Sequence, residues 1–507
     1  MGSKLRHTIY IVLFIIIGLA GEAFAQRPAR MGPASPEEIK KAREVLDANF
    51  DSLKAHRAYI YAMGLINPQL VAQYRTWVKE YPKKLVIPLS VGTAFYGAEM
   101  SQAKEFLLKA AEIEPKNARI WSMLSGDAFT RGEYEQARIY VEKAAAADPS
   151  NVGYALSQVT SYEEGDPVVY KQKLLEFVKR FPQDDHAAAA LYWLAMAAGN
   201  RDEQIKEFEE LRKLYPPQKY RWSADGMARL ADIYLQTDPE KALALINEMG
   251  GDKNWILRKQ IAESLIQINK PGQNQDYRNE VTKLNELKLP PYNDIGDFMT
   301  LKKAALLDKA GETNAAYDTL TIKFAKQPTD EFYTAAGLYG KKIGKYNAQI
   351  SKDIEAIRTA GAVPAALFDM GLYTGEGKLK LSDLKGKVVL LTFWFPACGP
   401  CMAEFPHFQA VIDKFRDKDV VYVGIDVSPE QDPYVLPLLK NTKFSFIPLR
   451  GTQEFAKNNY GVDGEPTNFL IDKDGKIIFK DFRIDNTNHR TLELMISSLL
   501  GKNLQAN

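Results

Sequence analysis

Cysteine is almost absent from this chain. Its 507 residues hold two, Cys398 and Cys401, and none stands before them. The disulfide-stapled scaffold common among exported domains is therefore excluded. Histidine is nearly as scarce. His7, His56, His186, His407 and His489 are scattered, with no metal-ligand spacing among them or the cysteines. No metal site and no cofactor are expected. Net charge is missing as well. Lys and Arg number 66 against 64 Asp and Glu, a balance of +2. No basic field exists to hold nucleic acid. No apolar run reaches the ~20 residues that a spanning helix needs. What remains is ordinary globular material, 46% hydrophobic and 26% charged, long enough for about three domains.

The N-terminus has an address pattern. Lys4 and Arg6 precede a nearly unbroken apolar run of 13 residues, Thr8 to Ala20, followed by Ala23-Phe24-Ala25. A positive start, a short apolar core and an A-x-A site predict a secretory signal peptide over 1–25, cleaved after Ala25. An uncleaved membrane anchor is the alternative. No Cys near the site offers a lipid attachment point. The mature chain is expected outside the cytoplasm, in a periplasm.

The middle of the chain repeats. Prolines recur at 82, 115, 149, 182 and 216, with spacings of 33, 34, 33 and 34. Between them run apolar-periodic segments, clearest from Ala118 to Asn151. There Trp121, Leu124, Ala128, Ala137, Val141 and Ala144 mark a helix–turn–helix unit, and Ala103, Leu107 and Ala110 repeat its second half. Small residues at 103/137 and 110/144 allow helices to approach closely, and proline cannot continue a helix. This period and these residue types resemble the tetratricopeptide repeat. The match is strongest over 84–151, with fainter units over 36–82, 152–250 and 295–350. The resemblance implies a helical solenoid over 36–355 with a long curved face for a protein partner. Trp121, Tyr134 and Tyr140 are read as core.

The pattern changes near residue 360. A linker is expected over 356–364 and an α/β domain over 365–507. Strands are predicted at Val388–Phe395, Val420–Asp426, Phe444–Pro448, Phe469–Asp472 and Lys476–Asp481. Helices are predicted at Gly399–Phe415, within 432–441, at Gln453–Asn458 and at Arg490–Leu500. Alternation of strands and helices makes a central sheet.

Cys398-Gly399-Pro400-Cys401 follows one strand and opens a helix. A sulfur at a helix N-terminus meets unpaired amides and the positive end of the dipole, so the first Cys is read as the nucleophile. Cys401, one turn in, is the resolving thiol. Pro400 is tolerated in the first turn. A zinc half-site lacks two further ligands. An inert disulfide would close too small a loop to stabilise much.

"LSDLKGKVVLLTFW", "CGPCMAEFP" and "GEPTNFLIDKDGKI" occur in order over residues 365–502. They resemble the TlpA/ResA type of thioredoxin-fold thiol–disulfide oxidoreductase. The resemblance implies a redox-active pair Cys398 and Cys401, a catalytic Glu404 that relays the resolving proton, and a cis Pro466. With Glu465 and Thr467, Pro466 would face the substrate peptide. It further implies protein thiol or disulfide substrates and, for a reductant outside the cytoplasm, a membrane-bound thiol donor. Three departures stand out. Ala397 replaces the usual Trp before the first Cys. Thr392 stands where thioredoxin carries a buried Asp. Glu465 places a carboxylate beside the proline, where it would oppose thiolate formation and favour basic substrates. His407, three residues past Glu404, is read as a surface residue. Two other readings compete. One is a peroxiredoxin-like peroxidase, although Phe395 stands where such an enzyme needs Thr. The other is a repeat scaffold with an accessory redox domain.

Overall fold

The computed structural model describes residues 30–162, 166–270, 276–291 and 293–501. The expected signal segment, 1–25, lies outside the described residues.

Prolines set the length of the helices. The helices Pro68–Glu80, Ala103–Ile113, Tyr134–Ala147, Pro167–Arg180 and Arg201–Leu214 each end two residues before one of the five periodic prolines. Proline disfavours the α conformation in the residue before it. Tyr81, Glu114, Asp148 and Tyr215 accordingly leave the helix, with φ between −124° and −133°. The periodic alanines do what their size allows. Ala103, Ala110, Ala137 and Ala144 are all buried, and Ser125 Oγ donates to the Ala137 carbonyl across one pair of helices at 2.9 Å. Of the three aromatics read as core, Tyr140 is buried, while Trp121 and Tyr134 are half-buried. Trp121 stacks on Tyr140 and carries the Lys143 ammonium 4.2 Å from its ring centre.

Among the described residues, nineteen helices run from Pro36 to Gly361 before the first strand. Two of them, Lys253–Asn269 and Tyr277–Glu286, fill a stretch that the repeat pattern leaves blank. The last, Asn347–Gly361, runs through most of the segment expected as a linker. Its helical run outlasts the loss of the repeat, because Thr359-Ala-Gly holds no proline to stop it.

The chain forms two compact units, and neither is continuous in sequence. The first joins the helices up to Tyr170 to Pro364–Gly475 and Lys480–His489. The second holds Lys171–Val363, Lys476–Phe479 and the chain from Arg490. A contiguous division at 356–364 therefore does not describe the packing.

In the first unit the sheet runs Ile447–Arg450, Val420–Asp426, Val388–Trp394, Thr467–Ile471 in spatial order. The central strand, Val388–Trp394, is buried at all seven positions, as a strand covered on both faces must be. It pairs parallel with Val420–Asp426, Trp394 opposite Asp426, and antiparallel with Thr467–Ile471, Phe393 opposite Thr467. The strand expected at Phe444–Pro448 begins only at Ile447. Phe444 and Phe446 are used as packing rings instead, against Phe405 and Trp394.

Within this unit the helices up to Tyr170 pack against the α/β region. Asp127, on the helix Ala118–Thr130, is buried. Its carboxylate accepts from Arg131 Nε and from the Tyr434 hydroxyl, each at 2.7 Å. The Arg131 guanidinium lies 4.8 Å from the Tyr434 ring centre, and Asn441 donates to the Arg131 carbonyl. Gly132 has φ +69°, and a Cβ there would come within 2.8 Å of Thr442. Part of the array's turn edge thus meets its own chain rather than a foreign partner.

In the second unit a buried ion pair ties two helices. Arg258 donates to both oxygens of Asp232, at 2.8 and 3.1 Å, and the Asp294 amide donates to the same carboxylate. Both charged side chains are nearly sealed from solvent. Removing one partner leaves a buried charge unpaired. Arg258→Ala should lower the unfolding free energy by about 3–5 kcal/mol, measured by urea denaturation against the parent chain.

Candidate active site

Chemistry begins where the central strand ends. Phe395-Pro396-Ala397 leads from Trp394 to Cys398, the N-cap of the helix Gly399–Ile412. Four amides at a helix start have no partner inside the helix. One of them, on Cys401, donates to Cys398 Sγ at 3.2 Å. Pro400 costs no hydrogen bond in this first turn. The two cysteines are joined as a disulfide with Cα atoms 5.3 Å apart. In this oxidised form their relative exposures are 3% and 0%. On reduction, the Cys401 amide and the helix dipole favour negative charge at Cys398 over Cys401.

Glu404 lies one turn further along the same helix, buried. Its Oε2 accepts from Asn468 Nδ2 at 2.8 Å and its Oε1 from the Ile484 amide at 2.7 Å. Arg483 Nη1 stands 3.6 Å from Oε2. Burial pushes the carboxyl up to about 7, against the opposing pull of these donors. Behind it, Thr392 Oγ1 donates to Asn468 Oδ1 at 2.8 Å. The residue in place of thioredoxin's buried acid is therefore joined to Glu404 through one amide. The register makes this possible, because Thr392 and Asn468 are direct partners across the sheet.

The Glu465–Pro466 peptide is cis. Pairing of Phe393 with Thr467 places Pro466 at the sheet end from which the Cys398 segment departs. Pro466 is buried, and Glu465 and Thr467 are half-buried. Thr467 Oγ1 donates to the Gly464 carbonyl. Glu465 Oε1 is buried without a hydrogen-bond partner among the described residues. His407 is not a surface residue. It is buried, with Nδ1 2.9 Å from His489 Nε2. The spacing of three from Glu404 keeps it on the packed side of the helix, which is covered further round than a simple amphipathic pattern implies.

A second buried carboxyl flanks the same sheet end. Asp426 closes the strand paired with the central one. It accepts from the Tyr373 hydroxyl at 2.8 Å and from the Ser428 amide at 2.9 Å. Burial pushes it up to about 7, and the nearby Asp432 and Glu430 add to the rise. Tyr373 also bonds Asp432, which Arg450 holds from the other side. One phenolic proton cannot serve two carboxylates at once, and this crowding of acceptors favours the protonated form of Asp426.

The Redoxin family profile matches residues 359–495. The chain is 38% identical over 104 residues to thiol-disulfide oxidoreductase ResA of Bacillus thuringiensis (strain Al Hakam), covering 20% of this chain and 60% of that protein. It is 33% identical over 121 residues to ResA of Geobacillus thermodenitrificans, covering 24% of this chain and 69% of that one. The chain belongs to the thiol-disulfide oxidoreductase family. It spans about 60% of the length of the Bacillus thuringiensis relative. A thiol:disulfide interchange protein from Chlorobium tepidum TLS aligns in structure with 27% identity over 28% of this chain and 97% of that one, TM-score 0.24.

Asn468 and Arg483, which meet Glu404, the Asp426–Tyr373 pair, and Gln431, which accepts from the Ala397 amide, were not singled out by sequence reasoning. Asn468 had a signal. It sits in the motif that carries Pro466 and Thr467, and strand alternation turns it to the opposite face from Thr467. Tyr373 and Gln431 had none, since Tyr373 acts from a bend and Gln431 from the one-turn 3-10 helix Pro429–Gln431, both away from 398 in sequence.

The Glu404 carboxyl has a consequence for stability. Between about 4.5 and 7 the folded chain keeps a proton there that the unfolded chain has released. Stability contributed by this group is therefore highest below that window, falls as pH rises through it, and is flat above it. Glu404→Gln should remove on the order of 3 kcal/mol of the parent's decline between pH 4.5 and 7. Urea midpoints of both chains across that range measure the difference.

Proposed function

We propose that this protein is an exported reductant of protein disulfides, working by dithiol exchange through Cys398 and Cys401. The observation that carries the reading is the Cys401 amide donating to Cys398 Sγ, with a buried Glu404 one turn beyond. In the reduced form the Cys398 thiolate attacks one sulfur of a substrate disulfide. A mixed disulfide forms and the other substrate sulfur leaves as a thiolate. Cys401 then gives its proton to the Glu404 carboxylate and attacks Cys398 Sγ. The Cys398–Cys401 disulfide forms, the second substrate thiolate departs, and two electrons have passed to the substrate. A carboxyl held near 7 suits this relay at neutral pH. Glu404 retains lone pairs beyond those used by Asn468 and Ile484.

Resetting the pair takes a dithiol donor. Outside the cytoplasm that donor is a membrane-bound thiol protein. The N-terminal apolar segment with its A-x-A site supports export to a periplasm. The helical repeats, tetratricopeptide-like in period, recruit the substrate or a partner on the surface that the α/β region does not cover. Pro466, Glu465 and Thr467 line the substrate peptide.

The mature chain should show a reversible two-electron couple near −270 mV rather than near −120 mV, read by equilibration with defined thiol buffers. A strongly oxidising value would assign disulfide formation instead. Cys401→Ser should accumulate a mixed disulfide with a model substrate, visible on a non-reducing gel. Cys398→Ser should form none, and its reductase turnover should fall to background.

A further inference from the structure

The helical array reaches the segment that carries the nucleophile. Ala397, the residue before Cys398, donates its amide to Gln431 Oε1 at 2.8 Å. Gln431 is buried, and its Nε2 donates in turn to Glu99 Oε2 at 2.6 Å. Glu99 belongs to the turn between the helices Val86–Gly97 and Ala103–Ile113. All three residues lie in the first compact unit. A single side-chain amide therefore spans from a repeat turn to the backbone beside the reactive sulfur.

The backbone at Glu99 shows that this carboxylate is an unusual choice. Its φ is +54°, in the left-handed region that favours glycine. One repeat later the equivalent turn position is Gly132, with φ +69°. The turn in the later segment "KAGETNAA" uses Gly311, with φ +81°. A glycine at 99 would suit the turn better. The residue found there accepts the Gln431 proton instead. Accepting it fixes which end of the amide faces Ala397. It also polarises the amide, so that Oε1 becomes the stronger acceptor. The Ala397 amide is then held, and with it the approach of the chain to the N-cap sulfur.

We propose that the repeat array is a working part of the dithiol site, with Glu99, acting through Gln431, as a positioning residue for the segment Phe395–Cys398. This deepens the dithiol-exchange reading above and rests on it. It does not require Glu99 to touch a sulfur or the substrate. It assigns the carboxylate an acceptor's role rather than a charge's role, and the two differ in sign. A nearby negative charge opposes thiolate formation, so if charge alone mattered, losing it would speed Cys398. If positioning matters, losing the acceptor slows it.

Three variants of the full mature chain separate these cases. Glu99→Gly removes the side chain while suiting the backbone of the turn, so any loss is not a strained turn. Glu99→Gln removes the charge and keeps an acceptor oxygen. Gln431→Ala removes the bridge, alone and combined with Glu99→Gly. The readout is the rate of iodoacetamide alkylation of reduced Cys398 against pH, with folding checked by circular dichroism and urea unfolding. The expected result is a fall of about threefold or more at pH 7 for Glu99→Gly, a rate within about twofold of the parent for Glu99→Gln, and no further fall when Gln431→Ala is added to Glu99→Gly. A Glu99→Gly chain that reacts as fast as the parent or faster overturns the proposal. So does a Glu99→Gln chain slowed as much as Glu99→Gly, or additive losses in the double variant. Failure of the dithiol reading is a different result: the parent itself would then show no reversible Cys398–Cys401 couple.

Discussion

One amide donating to one sulfur organises this molecule. The Cys401 N–H can reach Cys398 Sγ only if a helix starts at Gly399 with Cys398 as its cap. That start holds its place because the strand before it is buried over its whole length and paired on both sides. The strand in turn fixes Thr392 opposite Asn468, and Asn468 orients Glu404. A slip of one residue would turn the strand's polar position to the other face and uncouple this set. The sheet is thus less a core with a site on it than the device that keeps a sulfur and a carboxyl one helical turn apart.

Much of this was legible before any coordinates. The cysteine pair lies beside signals that carry their own mechanism, a strand that stops and a helix that starts, whereas Glu404 and Pro466 were reached through the family resemblance. The proline period was equally plain, because the prolines end helices by a steric rule that acts within two residues. What stayed hidden acts at long range. Gln431 and Tyr373 serve the site from a single 3-10 turn and a bend, whose composition resembles any loop. His407 reads as a solvated residue in a run containing Glu404 and Gln409, yet packing closes over it. The grouping of the chain into units could not be read from periodicity, which reports what each segment is and not what it packs against.

The two carboxyls held near neutrality show how one environment makes a functional group and a structural one alike. Glu404 and Asp426 both rise through burial, and both flank the end of the sheet where the disulfide sits. Glu404 faces backbone and amide donors, so its charged form is well received once formed. Asp426 shares the Tyr373 hydroxyl with Asp432, whose nearby charge adds to the rise. Perturbed acidity marks the neighbourhood of the site, and the two carboxyls differ in what stands beside them: an arginine at Glu404, further carboxylates at Asp426.

The lock between Asp127 and Tyr434 joins residues 307 positions apart. On a chain that emerges from its N-terminus, the early helices exist long before the segment that completes them. Until then Asp127 lacks the Tyr434 hydroxyl, and the face met by Gln431, Tyr434 and Asn441 stands open. Long-range closure of this kind is slow and leaves apolar surface waiting. The chain therefore depends on its last third to finish its first third. A truncation that removes the redox domain, intended to isolate the repeats, would instead produce an incomplete array with a raw edge that invites self-association.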